Sequence, residues 1–197
     1  MSTPDPQPAT GSAPGIRLRR SATDVVEVAA QRGRAADLER IAASRGATLP
    51  AFGRALIATQ RAVICVRPAR WLLLCPPAAP GSCAAAWADA CAGSGAAIDL
   101  SSGLVALQLA GPAVREVLAR GCRLDLDPSM FPPGRAAATI MAQVSVILVA
   151  TRVGVLLLTP STTAQHVAEW LAHTAAPFGF ERAAARGLPF LFGDPEE

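Results

Sequence analysis

The sequence predicts an α+β fold made of two tandem split βαβ units, each a ferredoxin-like antiparallel sheet backed by helices. The main observation is that strand and helix patterns follow in the order β-α-β-β-α-β over residues 24–101. The order β-α-β-β-α then recurs over residues 102–180. The chain has 197 residues and is 51% hydrophobic, which suffices for two small lobes that share one core. We therefore expect one domain over residues 24–180, built from two related halves.

The first half is predicted from alternation and from helix stop signals. Residues 24–30 alternate apolar and polar side chains as a strand does, and residues 34–46 carry helical spacing that ends at Gly46. The remaining segments are strands at 62–66 and 70–75 around a turn at Arg67–Pro68, an alanine-rich helix at 81–93 with Ser82 as N-cap, and a strand at 96–100.

The second half repeats the order. Residues 104–109 predict a strand, and Gly111–Pro112 opens a helix with Pro112 in its first position and Gly121 at its end. The later segments are strands at 137–150, broken near Gln143, and at 153–158, and a helix at 161–175 capped by Ser161.

Both ends of the chain lack a clear pattern. Residues 1–23 are rich in Pro, Ser, Thr and Gly, so we predict a disordered leader. Residues 181–197 are a loosely patterned C-terminal tail. Its stretch 188–192 is apolar enough that we expect it to dock on another surface, and the leader is a second candidate for such an interface.

Composition narrows the possible partners. Charged residues make up only 17% of the chain, against roughly a quarter in an average soluble domain. Either a partner chain covers apolar surface, or alanine alone inflates the apolar count. All 18 basic residues are Arg, the net charge is +3, and Tyr is absent, so the basic stripe with aromatic residues that nucleic-acid binding needs is missing.

Cysteine use and hydropathy predict a soluble cytoplasmic protein. The five cysteines form no CxxC pair, which favours free thiols in a reducing compartment over a disulfide framework. No early apolar stretch resembles a signal peptide. The longest apolar runs, at 142–150 and 153–158, fall short of the ~20 residues that span a bilayer.

Candidate chemical residues are few, and each has a plainer interpretation. His166 and His173 lie seven positions apart on one helix, which is not a metal-ligand spacing, and we expect Glu169 and His173 to form a surface pair. Asp125 and Asp127 could form a paired acid and base, but we favour turn chemistry before Pro128. The other candidates are Asp99, as a ligand contact or a strand-end turn residue, and Cys122, as the least buried thiol. We assign no catalytic, cofactor-binding or metal residue.

Several motifs together resemble the gamma subunit of heterotetrameric sarcosine oxidases. The pieces are Ile98-Asp-Leu-Ser-Ser-Gly, Leu107-Gln-Leu-Ala-Gly-Pro, Arg115-Glu-Val-Leu-Ala-Arg-Gly-Cys, Leu124-Asp-Leu-Asp-Pro, Phe131-Pro-Pro-Gly and Trp170-Leu. Leu49-Pro and Arg70-Trp-Leu-Leu-Leu fit the same order upstream, so the resemblance covers about residues 24–180.

The resemblance implies a fold related to the folate-binding domain of the glycine-cleavage aminomethyltransferases. It also implies a non-catalytic subunit that binds no cofactor and packs directly on the alpha subunit, within a complex that includes beta and delta subunits. FAD, FMN, NAD and tetrahydrofolate are then expected on partner subunits. The complex oxidises the N-methyl group of sarcosine and passes the one-carbon unit to tetrahydrofolate. The alternative is a stand-alone folate-binding protein of the aminomethyltransferase-like superfamily.

Overall fold

A computed structural model describes residues 14–58 and 61–187 of the chain. These residues form four α-helices and twelve strands. The helices are α1 (Ala35–Ser44), α2 (Ser82–Cys91), α3 (Val114–Ala119) and α4 (Ala164–Ala175). The strands are β1 (Ile16–Ala22), β2 (Asp24–Ala30), β3 (Arg54–Ala58), β4 (Arg61–Arg67), β5 (Arg70–Cys75), β6 (Gly95–Asp99), β7 (Leu104–Ala110), β8 (Ala136–Met141), β9 (Val144–Ala150), β10 (Gly154–Pro160), β11 (Phe180–Arg182) and β12 (Arg186–Gly187).

The strands form two sheets. The first has the order β3-β4-β5-β2-β6, and the second has the order β11-β1-β7-β10-β9-β8, with β12 also paired to β1. All pairs are antiparallel except those of β1 with β11 and with β12. In each sheet the strands before and after a helix lie in split βαβ order, so the predicted duplication and the α+β class are confirmed.

The two sheets pack face to face and carry their helices on the outer faces. Alternation along β10 shows the arrangement, because Val155 and Leu157 join the cluster that contains α3 and α4, whereas Leu156 and Leu158 join a cluster without helical residues. The helices α1 and α2 cover the outer face of the first sheet. The protein therefore has four layers, with an apolar layer between the sheets.

Small side chains and backbone hydrogen bonds hold the sheets together at one corner. The inter-sheet cluster includes Ala55 of β3 and Ala136 of β8, both nearly fully buried. The Ala55 N–H donates to the Gly134 carbonyl at 2.9 Å, and the Ala136 N–H donates to the Gly53 carbonyl at 3.0 Å. These bonds satisfy polar groups that a buried strand edge would otherwise leave unpaired.

The predicted disorder of residues 1–23 is wrong where the structure describes them. Residues 16–22 form β1, in which Ile16 and Leu18 are buried among the residues of the α3–α4 cluster. The interposed Arg17 and Arg19 give the period of two that a strand on a sheet requires. Residues 1–13 lie outside the described part of the chain.

The halves 24–101 and 102–180 are consequently not self-contained. Strand β1 lies beside β7 in the second sheet, in the position that a fourth strand of the second unit would occupy. The predicted tail also contributes, since β11 and β12 pair with β1. The apolar stretch 188–192 lies outside the described residues, so its predicted docking stays a prediction.

Three helix starts differ from the predictions. Gly81, at φ 74°, is the N-cap of α2, so Ser82 is the first helical residue and makes no capping hydrogen bond. Pro112 lies before α3, which begins at Val114. Residues 161–163 form a 3₁₀ turn, so α4 begins at Ala164 rather than at Ser161.

Strand β3 had no sequence signal that we recognised. No helix in the described ranges is both long and apolar enough to cross a membrane.

Candidate functional site

A cavity of about 520 Å³ opens between the two sheets. This volume lies in the range of small-molecule sites, roughly 300–1,000 Å³. Its apolar wall comes from both sheets and from the connection between β6 and β7, and consists of Val66, Leu72, Leu100, Leu104, Val146, Ile147 and Leu158. It is the candidate site on geometric grounds, because buried and half-buried apolar side chains meet a few polar groups there.

The tight β4–β5 hairpin places two arginines at this cavity. Pro68 and Ala69 form the turn, and Ala69 adopts φ 58°, the left-handed conformation that follows proline in a type II turn. Arg67 and Arg70 are consequently paired directly opposite each other, and both line the cavity. The Arg67 guanidinium has no ion-pair or hydrogen-bond partner within residues 14–58 and 61–187.

Among the described lining residues, Glu27 supplies the one carboxylate. Val26 and Val28 face the helices, so the alternation of β2 turns Glu27 toward the space between the sheets. Arg70 Nη1 lies 2.7 Å from Glu27 Oε1, and the Glu27 side chain is only 14% exposed. The guanidinium therefore offsets the cost of desolvating this carboxylate.

The polar side chains among the described lining residues are few. Thr139 and Ser145 are its hydroxyl residues, and no His or Cys is among the described lining residues. Among the described lining residues the carboxylate of Glu27 is paired with Arg70, and no hydrogen bond within that lining pairs it with either hydroxyl. The arrangement suits an amphipathic ligand, with an apolar body in the cleft and an anionic group near Arg67.

The aspartates singled out in the sequence do not line this cavity; they stabilise turns. Asp99 accepts a hydrogen bond from the Ser101 N–H at 2.9 Å, and hydrogen bonds from Ser101 lower the pKa of Asp99. Asp125 accepts from the Asp127 N–H at 2.9 Å. Asp127 accepts from both the hydroxyl and the N–H of Ser129, which lowers the pKa of Asp127. The turn interpretation of Asp125 and Asp127 is confirmed.

The two histidines lie apart on α4 and are exposed. His173 Nδ1 lies 3.0 Å from the backbone oxygen of Glu169, and His166 Nε2 lies 3.4 Å from the Ala142 oxygen. The predicted surface pair is therefore wrong in detail, because the Glu169 carboxylate accepts a hydrogen bond from Gln165 instead. The described residues contain no cluster of three or more His, Cys, Asp or Glu side chains that could bind a metal.

All five cysteines are free thiols. Cys122 is buried, because the segment after α3 runs beside Met141 of β8 and closes over it. The prediction that Cys122 is the least buried thiol is wrong, since Cys83 is the partly exposed one. Burial, reinforced by the neighbouring Cys83 thiol, raises the pKa of Cys75 to about 12.

Sequence reasoning missed Glu27, Arg67 and Arg70 as a group. A signal was present, because Glu27 is a charged residue between Val26 and Val28 of β2, and the two arginines flank a recognised turn. Their convergence depends on which face of β2 meets the second sheet, and alternation alone does not decide that.

Comparisons with known proteins agree with the four-layer fold and with the motif resemblance. Residues 32–176 match the family described as "Sarcosine oxidase, gamma subunit family". A sarcosine oxidase subunit gamma from Arthrobacter sp is 44% identical over 54 residues, which are 27% of this chain and 27% of that protein. The subunit from Corynebacterium sp. (strain U-96) is 33% identical over 91 residues, 46% of this chain and 44% of that protein. The alignments thus span less than half the length of these relatives.

Two solved structures show the same architecture. The heterotetrameric sarcosine oxidase from Corynebacterium sp. U-96, in complex with pyrrole 2-carboxylate, contains a chain that is 28% identical, with a TM-score of 0.71 over 83% of this chain and 85% of that one. The glycine cleavage system aminomethyltransferase T from Bartonella henselae is 16% identical, with a TM-score of 0.64 over 86% of this chain and 48% of that one. The second likeness concerns the fold alone. The family match covers most of the chain, and this protein belongs to the sarcosine oxidase gamma subunit family.

Proposed function

We propose that this chain is the non-catalytic gamma subunit of a heterotetrameric sarcosine oxidase and packs directly on the alpha subunit. The observation that carries the proposal is the family match over residues 32–176. The likeness to a chain of a heterotetrameric sarcosine oxidase, with 85% of that chain covered, supports it. In this proposal the alpha, beta and delta subunits are the partners, and the complex is cytoplasmic.

The chemistry is assigned to the partner subunits. FAD, FMN, NAD and tetrahydrofolate bind there, sarcosine is oxidatively demethylated there, and its one-carbon unit passes to tetrahydrofolate. The lining of the inter-sheet cavity supports this division, because Glu27 is paired to Arg70 and no nucleophile–base pair is found among the described lining residues.

The surface supports the role of a subunit. Phe52, Met130 and Ile140 are each more than 60% exposed, and the chain has few charges. Large exposed apolar side chains on a charge-poor surface are typical of a protein that is covered by a partner.

Co-expression with the other three oxidase subunits of the same organism tests the proposal. An affinity tag on this chain should recover all four subunits in equal amounts, and Glu27→Gln and Arg70→Gln should leave kcat and KM for sarcosine of the complex within about twofold. A chain that stays monomeric in the presence of the other subunits would contradict the subunit role. A large loss of kcat in an intact complex would contradict the non-catalytic role.

A second candidate is a folate-binding protein, and the cavity with its Glu27 carboxylate is the observation that favours it. A pterin ring needs an apolar slot and a carboxylate acceptor. Titration calorimetry of the isolated chain with tetrahydrofolate distinguishes the two candidates. Tight binding that Glu27→Gln abolishes would favour the folate-binding candidate. Absence of tetrahydrofolate binding would argue against that candidate and would not affect the subunit proposal.

A further inference from the structure

Strand β6 ends the first sheet and leaves one edge of its backbone unpaired. The Leu100 N–H donates to the Val25 carbonyl at 2.8 Å, and the Gln31 N–H donates to the Ser94 carbonyl at 2.9 Å. Residues that bond to the neighbouring strand alternate along an antiparallel pair. In the register of β6 with β2, the backbone groups of Ala96 and Ile98 therefore bond to β2. Gly95, Ala97 and Asp99 therefore point their N–H and C=O groups away from the sheet.

These outward groups have no backbone partner in the part of the chain that the structure describes. We call the outward backbone of Gly95, Ala97 and Asp99 the β6 edge. It spans about 13 Å at the usual rise of a strand. The devices that protect an edge include a short strand, lysine, proline, a bulge, an inward charge and a covering helix or loop. Residues 95–98 have no charged or proline side chain, and only Asp99, at the end of β6, carries a charge.

The side chains around the β6 edge are apolar and exposed. Ile98 is 49% exposed on the face that β6 shares with Glu27. Helix α2 packs beside β6, and its exposed positions include Ala85, Ala86 and Ala88. Asp89 is the only charged residue between residues 76 and 98. Depletion of charge on an exposed surface is typical of the core of a protein–protein interface.

We propose that the β6 edge pairs with an extended segment of a partner subunit, which adds a sixth strand to the first sheet. The chemistry of the edge points to this occupant, because outward N–H and C=O groups at a two-residue repeat match the hydrogen-bonding groups of another extended backbone. The segment carries small or apolar side chains and few charges, because it lies against Ile98 and the alanines of α2. The inference rests on the proposed function, which supplies the partner subunit.

The variant Ala97→Pro tests the edge. It removes an outward donor and places a ring where the added strand would lie, while proline is tolerated where the N–H faces away from the sheet. In pull-down of the alpha, beta and delta subunits by the tagged full-length chain, Ala97→Pro should weaken association at least tenfold. The control is Ala79→Pro in the exposed loop before α2, which should bind like the unmodified chain. Ala79 already precedes Pro80, so its backbone is biased toward the extended region, which includes the polyproline conformation.

The outcomes separate the two proposals. If the unmodified chain and Ala97→Pro recover the partners equally, the edge inference is overturned and the subunit role stands. If the unmodified chain recovers no partner, both are overturned. If the chain forms a dimer that Ala97→Pro converts to a monomer, a second copy occupies the edge and the assignment to a partner subunit is wrong.

Residue-resolved hydrogen exchange on the unmodified chain gives a readout that does not depend on how the variant folds. In the free chain the amides of Ala96 and Ile98 should be protected by β2, and those of Ala97 and Asp99 should exchange quickly. In the complex the amides of Ala97 and Asp99 should slow at least tenfold. Unchanged exchange at these two amides in an intact complex would overturn the inference, because strand addition must bond them.

Discussion

Arg70 Nη1 lies 2.7 Å from Glu27 Oε1, across the ladder that joins β5 to β2 and beside the inter-sheet cavity. The two side chains are diagonal neighbours, since Glu27 is directly opposite Leu72 and Arg70 is opposite Ala29. Diagonal pairs on one face of a sheet lie within reach of long side chains. The Glu27 side chain is 14% exposed and the Arg70 side chain is 48% exposed. The pair is therefore half-buried, and we expect a coupling free energy above that of a fully exposed pair.

A double-mutant cycle with Glu27→Gln and Arg70→Gln should give a coupling free energy of about 1 kcal/mol, above that of an ordinary surface pair. The expected value is modest because solvent screens the exposed guanidinium. Urea unfolding of the four proteins measures it, and added salt should reduce it.

The matched control is the exposed pair Glu116–Arg120, four residues apart on the segment that begins with α3, with an N–O distance of 3.2 Å. The same cycle there should give about 0.3–0.5 kcal/mol. Equal coupling energies for the two pairs would show that the position of Glu27 between the sheets adds nothing.

The repeated order of strands and helices was predictable because most of the elements carry their own period. Strand β2 was predicted with its observed bounds, and β5 likewise, since alternation and flanking turns are local signals. The place of β1 was not predictable locally. The Pro, Ser, Thr and Gly content of residues 1–23 suggested a disordered leader, whereas the structure places Ile16 and Leu18 in the core of the second unit. That pairing joins residues far apart in the sequence.

The site was less predictable than the fold. Asp125 and Asp127 attract notice in the sequence because they lie two residues apart, and Asp99 because it lies near the end of a predicted strand. All three prove to bond neighbouring residues in turns. Glu27 and Arg70 are separated by the whole β2–β5 segment and meet only because the strands between them fold back. Local sequence shows turn chemistry, but a contact between distant strands requires the register.

Ile16→Ala tests whether β1 is an integral strand. Ile16 is fully buried, so the truncation should lower the free energy of unfolding by about 3 kcal/mol, as buried Ile-to-Ala changes do. Arg20→Ala, at an exposed position of the same strand, should cost less than about 0.5 kcal/mol. Urea unfolding measures both changes. If both substitutions lower the free energy of unfolding by the same small amount, residues 16–22 are not an integral strand.

Cysteine alkylation should be selective. With iodoacetamide at about pH 8, Cys83 should be modified first because it is the partly exposed thiol. Cys75 should resist, since burial raises its pKa to about 12 and thiolate forms only as the pH rises toward that value. Peptide mass spectrometry measures the order. Cys83→Ser should remove the fast phase, and early labelling of Cys122 in the native protein would contradict its buried position.

Gly121 lies close to the ring of Trp170, so a side chain at position 121 should clash with that ring. A smaller ring at position 170 should relieve the clash. A Cβ at Gly121 would lie 2.4 Å from Trp170 Cζ2. Gly121→Ala should therefore cost about 1–3 kcal/mol of stability through overpacking. Trp170→Phe removes the part of the ring that collides, so in that background Gly121→Ala should be neutral or stabilise by up to about 0.5 kcal/mol, because alanine restricts the unfolded chain. Gly103→Ala is the control, since its Cβ would lie 3.6 Å from the nearest atom, the Leu100 oxygen. A cost of Gly121→Ala that persists with Trp170→Phe would show that backbone conformation, rather than the ring, requires glycine at this position.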